Sequence, residues 1–317
     1  MKVLVTGATG FIGGAVVAAA KARGWEVGGV LGQRPAPSLP EGVSWRRLES
    51  WQESNERFDL VIHAAALRHR HGVAPADYSR NNIALTQDVV ECAQKLASRI
   101  LFLSSIAVYG WPRDLPIDET SPHQPNNEYG QSKIRCEELV RSCGLPFTIV
   151  QPSITYGPGD TDGMMDKILR MVAKRQFIVP GLGLARVQLV YIDDLAAMIL
   201  NAAASPKTIG ETFICTYRDP IRVGELVRLA SRAVGKWIPP VGPPRKLLSL
   251  GARLCEVADR FGLFKGEPPL TRDKLATISV DRCYRIGRMR RLLGTEPGTG
   301  YTQGIEQMAR ALGLARA

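Results

Sequence analysis

The chain has 317 residues, is 45% hydrophobic and 22% charged, and carries a net charge of +11, a composition ordinary for a soluble globular protein with a large core. No run of eighteen uncharged apolar residues occurs, and the N-terminus passes straight into a strand, so neither a membrane span nor a signal segment is expected and the protein reads as cytoplasmic. The six cysteines are scattered without C-x-x-C pairing, which suggests neither a disulfide framework nor a zinc site, and the positive charge comes with no nucleic-acid motif, so no nucleic-acid partner is expected.

The chain opens on M-K-V-L-V-T-G-A-T-G-F-I-G. The apolar run Val3 to Val5 reads as a strand buried on both faces of a parallel sheet, and it ends in three glycines spaced three apart. Gly7 allows a turn closed to other residues, Gly10 lets backbone approach a pyrophosphate, and Gly13 lets the next helix pack on the strand. Phosphates would rest on the free N–H groups around Phe11 and Ile12, at the start of a helix to Arg23. A second strand, Glu26 to Leu31, follows. Strands at Phe58–His63, Arg99–Ser105 and Pro146–Ser153 then alternate with helices at Asn81–Ala97 and Tyr129–Cys143, which predicts a doubly wound parallel α/β sheet of the Rossmann type. Each strand ends in small or polar residues, such as His63-Ala64-Ala65-Ala66, where ligands of such sheets lie.

Beyond residue 155 the pattern changes. Gly157-Pro158-Gly159-Asp160 breaks the chain, a helix is expected at Met164–Lys174, and Val187–Ile192 reads as a strand with Asp193 capping the next helix. Residues 1–155 are expected to form the dinucleotide-binding domain and 156–317 a smaller, mostly helical and discontinuous substrate lobe. The strand 187–192 and helix 193–203 are expected to return to the first domain. Arg282, Arg285, Arg288, Arg290 and Arg291 give a basic helix face, read as solvated. The segment Arg245 to Phe264 is amphipathic, with Leu247, Leu248, Leu254, Val257 and Phe261 interleaved with Arg253 and Arg260. Core packing is the expected account, with an apolar substrate lid or a membrane-surface contact as alternatives.

Twenty-four residues after Ser105 stands Tyr129-Gly130-Gln131-Ser132-Lys133. A Y-x-x-x-K spacing sets phenol and ammonium on one helix face. The ordinary pKa of a phenol, about 10, must fall towards neutrality for it to accept a proton, which costs about 4 kcal/mol. A cation at about 4 Å, with an effective dielectric near 20, supplies about that much. Lys133 is therefore expected to activate Tyr129, with help from a positively charged nicotinamide ring, while Ser105 holds the substrate oxygen and hydride moves at the same carbon.

Together, Thr6–Gly13, His63–Ala66, Ser104–Gly110, Tyr129–Lys133, Tyr156–Gly159 and Tyr191–Asp194 resemble the extended short-chain dehydrogenase/reductases, the NAD-dependent epimerase/dehydratase family, over nearly the whole chain. The resemblance implies a catalytic triad of Ser105, Tyr129 and Lys133, with Ser105 rather than Ser104 chosen by its place four residues before the tyrosine of V-Y-G. It further implies a lysine bonded to the nicotinamide ribose, an asparagine near the cofactor (Asn82, with Asn81 the alternative), His63 beside the cofactor but not a base, and a homodimer. His69, His71 and His123 are read as loop histidines, and no metal is expected. Family members that prefer NAD carry an acid about twenty residues past the glycines. Here Val30-Leu31-Gly32-Gln33-Arg34 holds none, so NADP is expected, its 2′-phosphate met by Arg34, with NAD the alternative. For the small-molecule substrate, Pro269–Arg272 and the helix to Gly294 resemble the 3-beta-hydroxysteroid dehydrogenase branch. The expectation is therefore an oxidoreductase of a sterol-like alcohol or ketone. Ala185-Arg186 and Arg68 are similar instead to sugar epimerases, which leaves a nucleotide-sugar 4-epimerase or dehydratase as the alternative, beside a cofactor-binding scaffold without turnover.

Overall fold

A computed structural model of the protein describes residues 1–32, 40–70, 72–111, 114–261, 263–264 and 268–315. The first half runs β1 (Lys2–Thr6), α1 (Phe11–Ala22), β2 (Glu26–Val30), β3 (Ser44–Arg46), α2 (Leu48–Gln52), β4 (Leu60–His63), α3 (Pro75–Tyr78), α4 (Leu85–Leu96), β5 (Ile100–Leu103), α5 (Glu128–Ser142) and β6 (Phe147–Pro152). A π-helical turn, Ser79–Ala84, joins α3 to α4, and a 3₁₀ turn, Ile106–Tyr109, follows β5. The second half runs β7 (Ile154–Tyr156), α6 (Met164–Ala173), β8 (Arg186–Val187), β9 (Leu189–Tyr191), α7 (Ile192–Ala204), β10 (Glu211–Cys215), β11 (Ile221–Arg222), α8 (Val223–Val234), α9 (Arg245–Arg260), α10 (Arg272–Ser279), α11 (Gly287–Leu293) and α12 (Tyr301–Ala311).

Seven strands form one parallel sheet in the order β10-β6-β5-β4-β1-β2-β3. Alternation along β1 divides the core between its faces. Val3 and Val5 pack with Val16 and Val17 of α1 and Leu195 and Ile199 of α7. Leu4 faces the other way, with Val89 and Ala93 of α4 and Val140 of α5. Both faces are covered, as an all-parallel sheet requires. Buried Arg99 ties the start of β5 to α7: it donates to the carbonyls of Ala202 and Ala203, where that helix's last acceptors lack intrahelical partners.

The strand expected at 187–192 does not rejoin this sheet. Its core, β9, pairs with β7 in a separate two-stranded sheet, and β10 is the strand that returns, beside β6. The helix after it does return, since α7 packs on α1. Asp193 is not its cap; the N-cap is Tyr191, and both Asp193 and Asp194 lie in the first turn, with Asp194 accepting from the Thr299 N–H at 2.7 Å. A second core joins α6, α8, α12, β7 and β9. All six cysteines are unpaired thiols.

Core packing does not account for α9. Of its sixteen residues only Ala252 is buried, while Leu247, Leu254, Val257 and, just beyond it, Phe261 are exposed.

Candidate active site

The glycine turn is built as closely as its spacing requires. Gly7 ends β1 at φ +67°, and a Cβ there would stand 2.7 Å from the Ala65 nitrogen. A Cβ on Gly13 would stand 2.1 Å from the Gly7 carbonyl oxygen, so the first turn of α1 lies against the strand end. Gly10 caps α1 in extended backbone; among the described residues no side chain bonds the helix's first N–H groups, and no acid stands in its first turn. Those N–H groups and the positive end of the helix dipole are a ready seat for a diphosphate.

Gly7, Gly10, Phe11, Ile12 and Gly13 line a cleft of about 1980 Å³ that also takes in Ala64, Ala65, Ser104, Ser105, Tyr129 and Lys133. Single-ligand pockets run to roughly 1,000 Å³, so this one has room for a dinucleotide and a substrate together. The residues fit a dinucleotide: an uncapped helix start, a cradle that any Cβ would fill, and the buried Ser104 hydroxyl, which lines the cleft without a hydrogen-bond partner among the described residues.

Tyr129 stands in the first turn of α5, whose N-cap Asn127 accepts from the Gly130 N–H at 2.9 Å. A Cβ on Gly130 would meet the Ala107 carbonyl at 2.5 Å; glycine there lets α5 press against the turn that carries Ser105. Lys133 lies one helical turn on, buried, and its ammonium donates to the Leu103 carbonyl at 2.8 Å. It sits 4.6 Å from the Phe102 ring centroid and 6.0 Å from that of Tyr129.

The chain's own groups do not by themselves draw the phenol towards neutrality, the effect expected of Lys133 together with the nicotinamide. Burial pushes the Tyr129 phenol up to about 12, opposed by the neighbouring Ser105 hydroxyl and by the charge of Arg68, while burial brings Lys133 down to about 8. The phenol is thus protonated near pH 7, and the Lys133 ammonium is directed to the Leu103 carbonyl and the Phe102 ring.

Two residues expected at the cofactor lie behind the cleft instead. Asn82, fully buried in the π-helical turn, accepts from the Leu67 N–H at 2.7 Å and donates to the Leu67 carbonyl at 3.2 Å and the Ser132 hydroxyl at 2.9 Å. It is a positioning residue that ties the loop after β4 to α5; Asn81 is the asparagine that lines the cleft. His63 is spanned by the Thr6 hydroxyl at 2.6 Å and the Thr86 hydroxyl at 3.0 Å, and does not line the cleft. Arg34 falls outside the described residues. Three pairs reach across from the loop after β4: Arg68–Asp160 at 3.1 Å, His69–Asp273 at 3.1 Å and Arg70–Asp162 at 3.3 Å; Arg68, His69 and Asp160 stand out in the sequence, but their pairing does not. Asp160 is buried, and burial raises its carboxyl above the usual range while Arg68 opposes that.

The profile of the NAD dependent epimerase/dehydratase family matches residues 3–215, about two thirds of the chain and every element from β1 to β10. The chain belongs to this family. The N-acetyl-alpha-D-glucosaminyl-diphospho-ditrans,octacis-undecaprenol 4-epimerase of Escherichia coli O157:H7 is 26% identical over 270 residues, covering 82% of this chain and 80% of its own. The UDP-glucose 4-epimerase of Vibrio cholerae is 26% identical over 266 residues, covering 80% and 76%. The fold is that of the UDP-glucuronic acid 4-epimerase of Bacillus cereus solved with NAD, at a TM-score of 0.76, 20% identity and 98% and 96% coverage. These relatives are sugar 4-epimerases, so the expected likeness to the 3-beta-hydroxysteroid dehydrogenase branch gives way to them. The family's cofactor is NAD, and nothing in the described residues supports the expected NADP preference.

His63 carries a testable consequence. Burial, with the nearby charge of Lys133, holds its imidazole down to about 3 against an ordinary 6.5. Between those values the unfolded chain binds a proton that the folded chain refuses, so stability falls as pH falls from 6.5 towards 3, by on the order of 5 kcal/mol at full extent. His63→Gln is expected to flatten that part of the profile in urea unfolding at stepped pH. Parallel decline of variant and wild type would refute the assignment.

Proposed function

We propose that the protein is an NAD-dependent 4-epimerase of diphosphate-linked sugars. The carrying observation is that one cleft holds, in continuity, the open helix start of α1 and the Ser105–Tyr129–Lys133 cluster, and has volume left for a second ligand. Beyond the cluster its wall is charged, with Arg68, Arg70, Asp162, Lys167 and Lys274 among the lining residues. A sterol has no anion to offer the cations of this wall, whereas a sugar diphosphate can bond to them alongside the groups they already meet. The 4-epimerase relatives support the same choice, and they offer two kinds of carrier, a nucleotide and a polyprenyl lipid.

In this reading NAD, when bound, supplies the hydride acceptor and returns the hydride. Ser105 holds the reacting sugar oxygen. Tyr129, as the phenolate that the positive charge of a bound oxidised nicotinamide would favour, would take the hydroxyl proton as hydride leaves and, as the phenol so formed, would give it back to the ketone; Lys133, anchored on Leu103, would orient the cofactor's ribose.

The test is to incubate the purified protein with NAD and a panel of diphosphate-linked hexoses, resolving epimers by chromatography while following absorbance of the reduced cofactor. Interconversion of 4-epimers without net reduction is expected. Stoichiometric reduced cofactor would point to a dehydrogenase, and binding without conversion to a scaffold. Titrating NAD and NADP separately measures the cofactor preference, with NAD expected to bind more tightly.

A further inference from the structure

Outside the cleft, the most unusual surface is the outer face of α9. Leu247, Leu250, Leu254, Val257 and Phe261 recur at alternating spacings of three and four, so they form one stripe along the helix. All five are exposed, Leu254 by 63% and Phe261 by 79%. Lys246, Arg253 and Arg260, seven apart, line one flank of the stripe. The helix's acids lie on its inner side: Glu256 bonds Arg272 of α10 at 2.7 Å, and Asp259 is seven residues from buried Ala252. An apolar ridge beside a column of cations, without an acid on the same face, has the charge pattern of a helix that lies on an anionic bilayer.

The surface continues around the mouth of the cleft. The loop leading into α9 is bonded to the loop after α6, through Gly181 N–H to the Pro243 carbonyl and Gly242 N–H to the Gly181 carbonyl, both at 2.9 Å. These two loops expose Trp237, Val241, Ile178 and Leu182, Trp237 by 71%. Ile178 and Leu248 also line the cleft. An aromatic side chain so placed suits the headgroup layer. At sixteen residues with six charges, α9 is too short and too polar to cross a bilayer.

We propose that α9 and the adjoining 178–182 and 237–243 loops dock the protein peripherally on an anionic membrane. There the mouth of the cleft meets sugars whose diphosphate is anchored in the bilayer by a lipid. This rests on the sugar reading above and names its carrier. The apolar stripe enters the interface, the cations meet lipid phosphates, and the cleft opens at the surface where a polyprenyl diphosphate head would stand.

The full-length protein is to be floated with vesicles of phosphatidylcholine alone and of phosphatidylcholine containing phosphatidylserine, without sugar substrate. Association with the anionic vesicles is expected, weakening as salt is raised through the range in which surface charges are screened. Leu254→Glu/Phe261→Glu, two fully surface positions away from the cleft, is expected to bind these vesicles about ten-fold or more weakly. Its thermal midpoint and NAD binding should match wild type. On a polyprenyl-diphosphate sugar in the same vesicles its kcat/KM should fall by a similar factor, and on a soluble UDP-sugar it should not change. Wild type that fails to float with either vesicle, or a variant that floats as well as wild type, overturns the proposal. So does a wild-type dimer that the double substitution splits without any vesicle binding, because the face then belongs to a second copy of the chain. Flotation is read without substrate, so it succeeds or fails independently of the sugar assay.

Discussion

Tyr129→Phe is expected to lower turnover by about a thousand-fold while leaving NAD affinity near that of wild type. The substitution removes one oxygen and nothing else. That oxygen stands beside Ser105 in the cleft and is held as an acid, up to about 12, by burial. Positioned proton transfer contributes roughly 10² to 10⁴ in rate, which sets the size of the loss. The proposed seat of the dinucleotide's diphosphate is the start of α1, and the Lys133 ammonium rests on the Leu103 carbonyl, so neither depends on the phenol. Single-turnover epimerisation and NAD titration on the same preparation separate the two quantities. Residual activity within a few fold of wild type would remove Tyr129 from the chemistry; a parallel loss of NAD binding would make it a binding residue.

Gly13→Ala is expected to destabilise the protein by on the order of 3 kcal/mol and to abolish dinucleotide binding. The added methyl would stand 2.1 Å from the Gly7 carbonyl oxygen and 2.6 Å from its carbon, and neither is a side-chain end that can swing aside. Relief requires α1 to lift from β1, which moves the N–H groups offered to the diphosphate. The neighbouring Gly14→Ala is the control: its Cβ would meet the Ala8 carbonyl at an ordinary 3.5 Å, so helix propensity alone is expected to make it neutral or slightly stabilising. Thermal unfolding with and without NAD reads both effects. Gly13→Ala that melts and binds like wild type would show that the turn is not the seat of the cofactor.

The parts of this site that could be read in the residues are those whose geometry is local. Three glycines between an apolar run and an alanine-rich helix constrain backbone over a dozen positions, and Tyr129 and Lys133 share a face because a helix repeats every 3.6 residues. Long-range pairing was not legible in the same way. Val187 to Ile192 is apolar whichever sheet it joins, and only the approach of Ile154–Tyr156 places β9 outside the main sheet. The stripe on α9 has the same spacing whether a core or a membrane covers it. His63 and Asn82 stand at motif positions, yet their rings and amides are taken up by Thr6, Thr86, Leu67 and Ser132, which come from elsewhere in the chain.

The amino-acid sequence alone determined the strand–turn–helix at the N-terminus, the alternation that builds the sheet, and the pairing of a tyrosine with a lysine, because each follows from neighbours within a few turns of backbone. The tertiary structure alone decided what those groups are chemically. Burial, and the Leu103 carbonyl brought in by β5, set the Lys133 ammonium 6.0 Å from the Tyr129 ring centroid and raise the phenol, and the approach of α6 and α10 brings Lys167 and Lys274 into the same cleft as the Ser105–Tyr129–Lys133 cluster. Acidity and substrate fit depend on distances through space and on what excludes water, and those are properties of the packed chain.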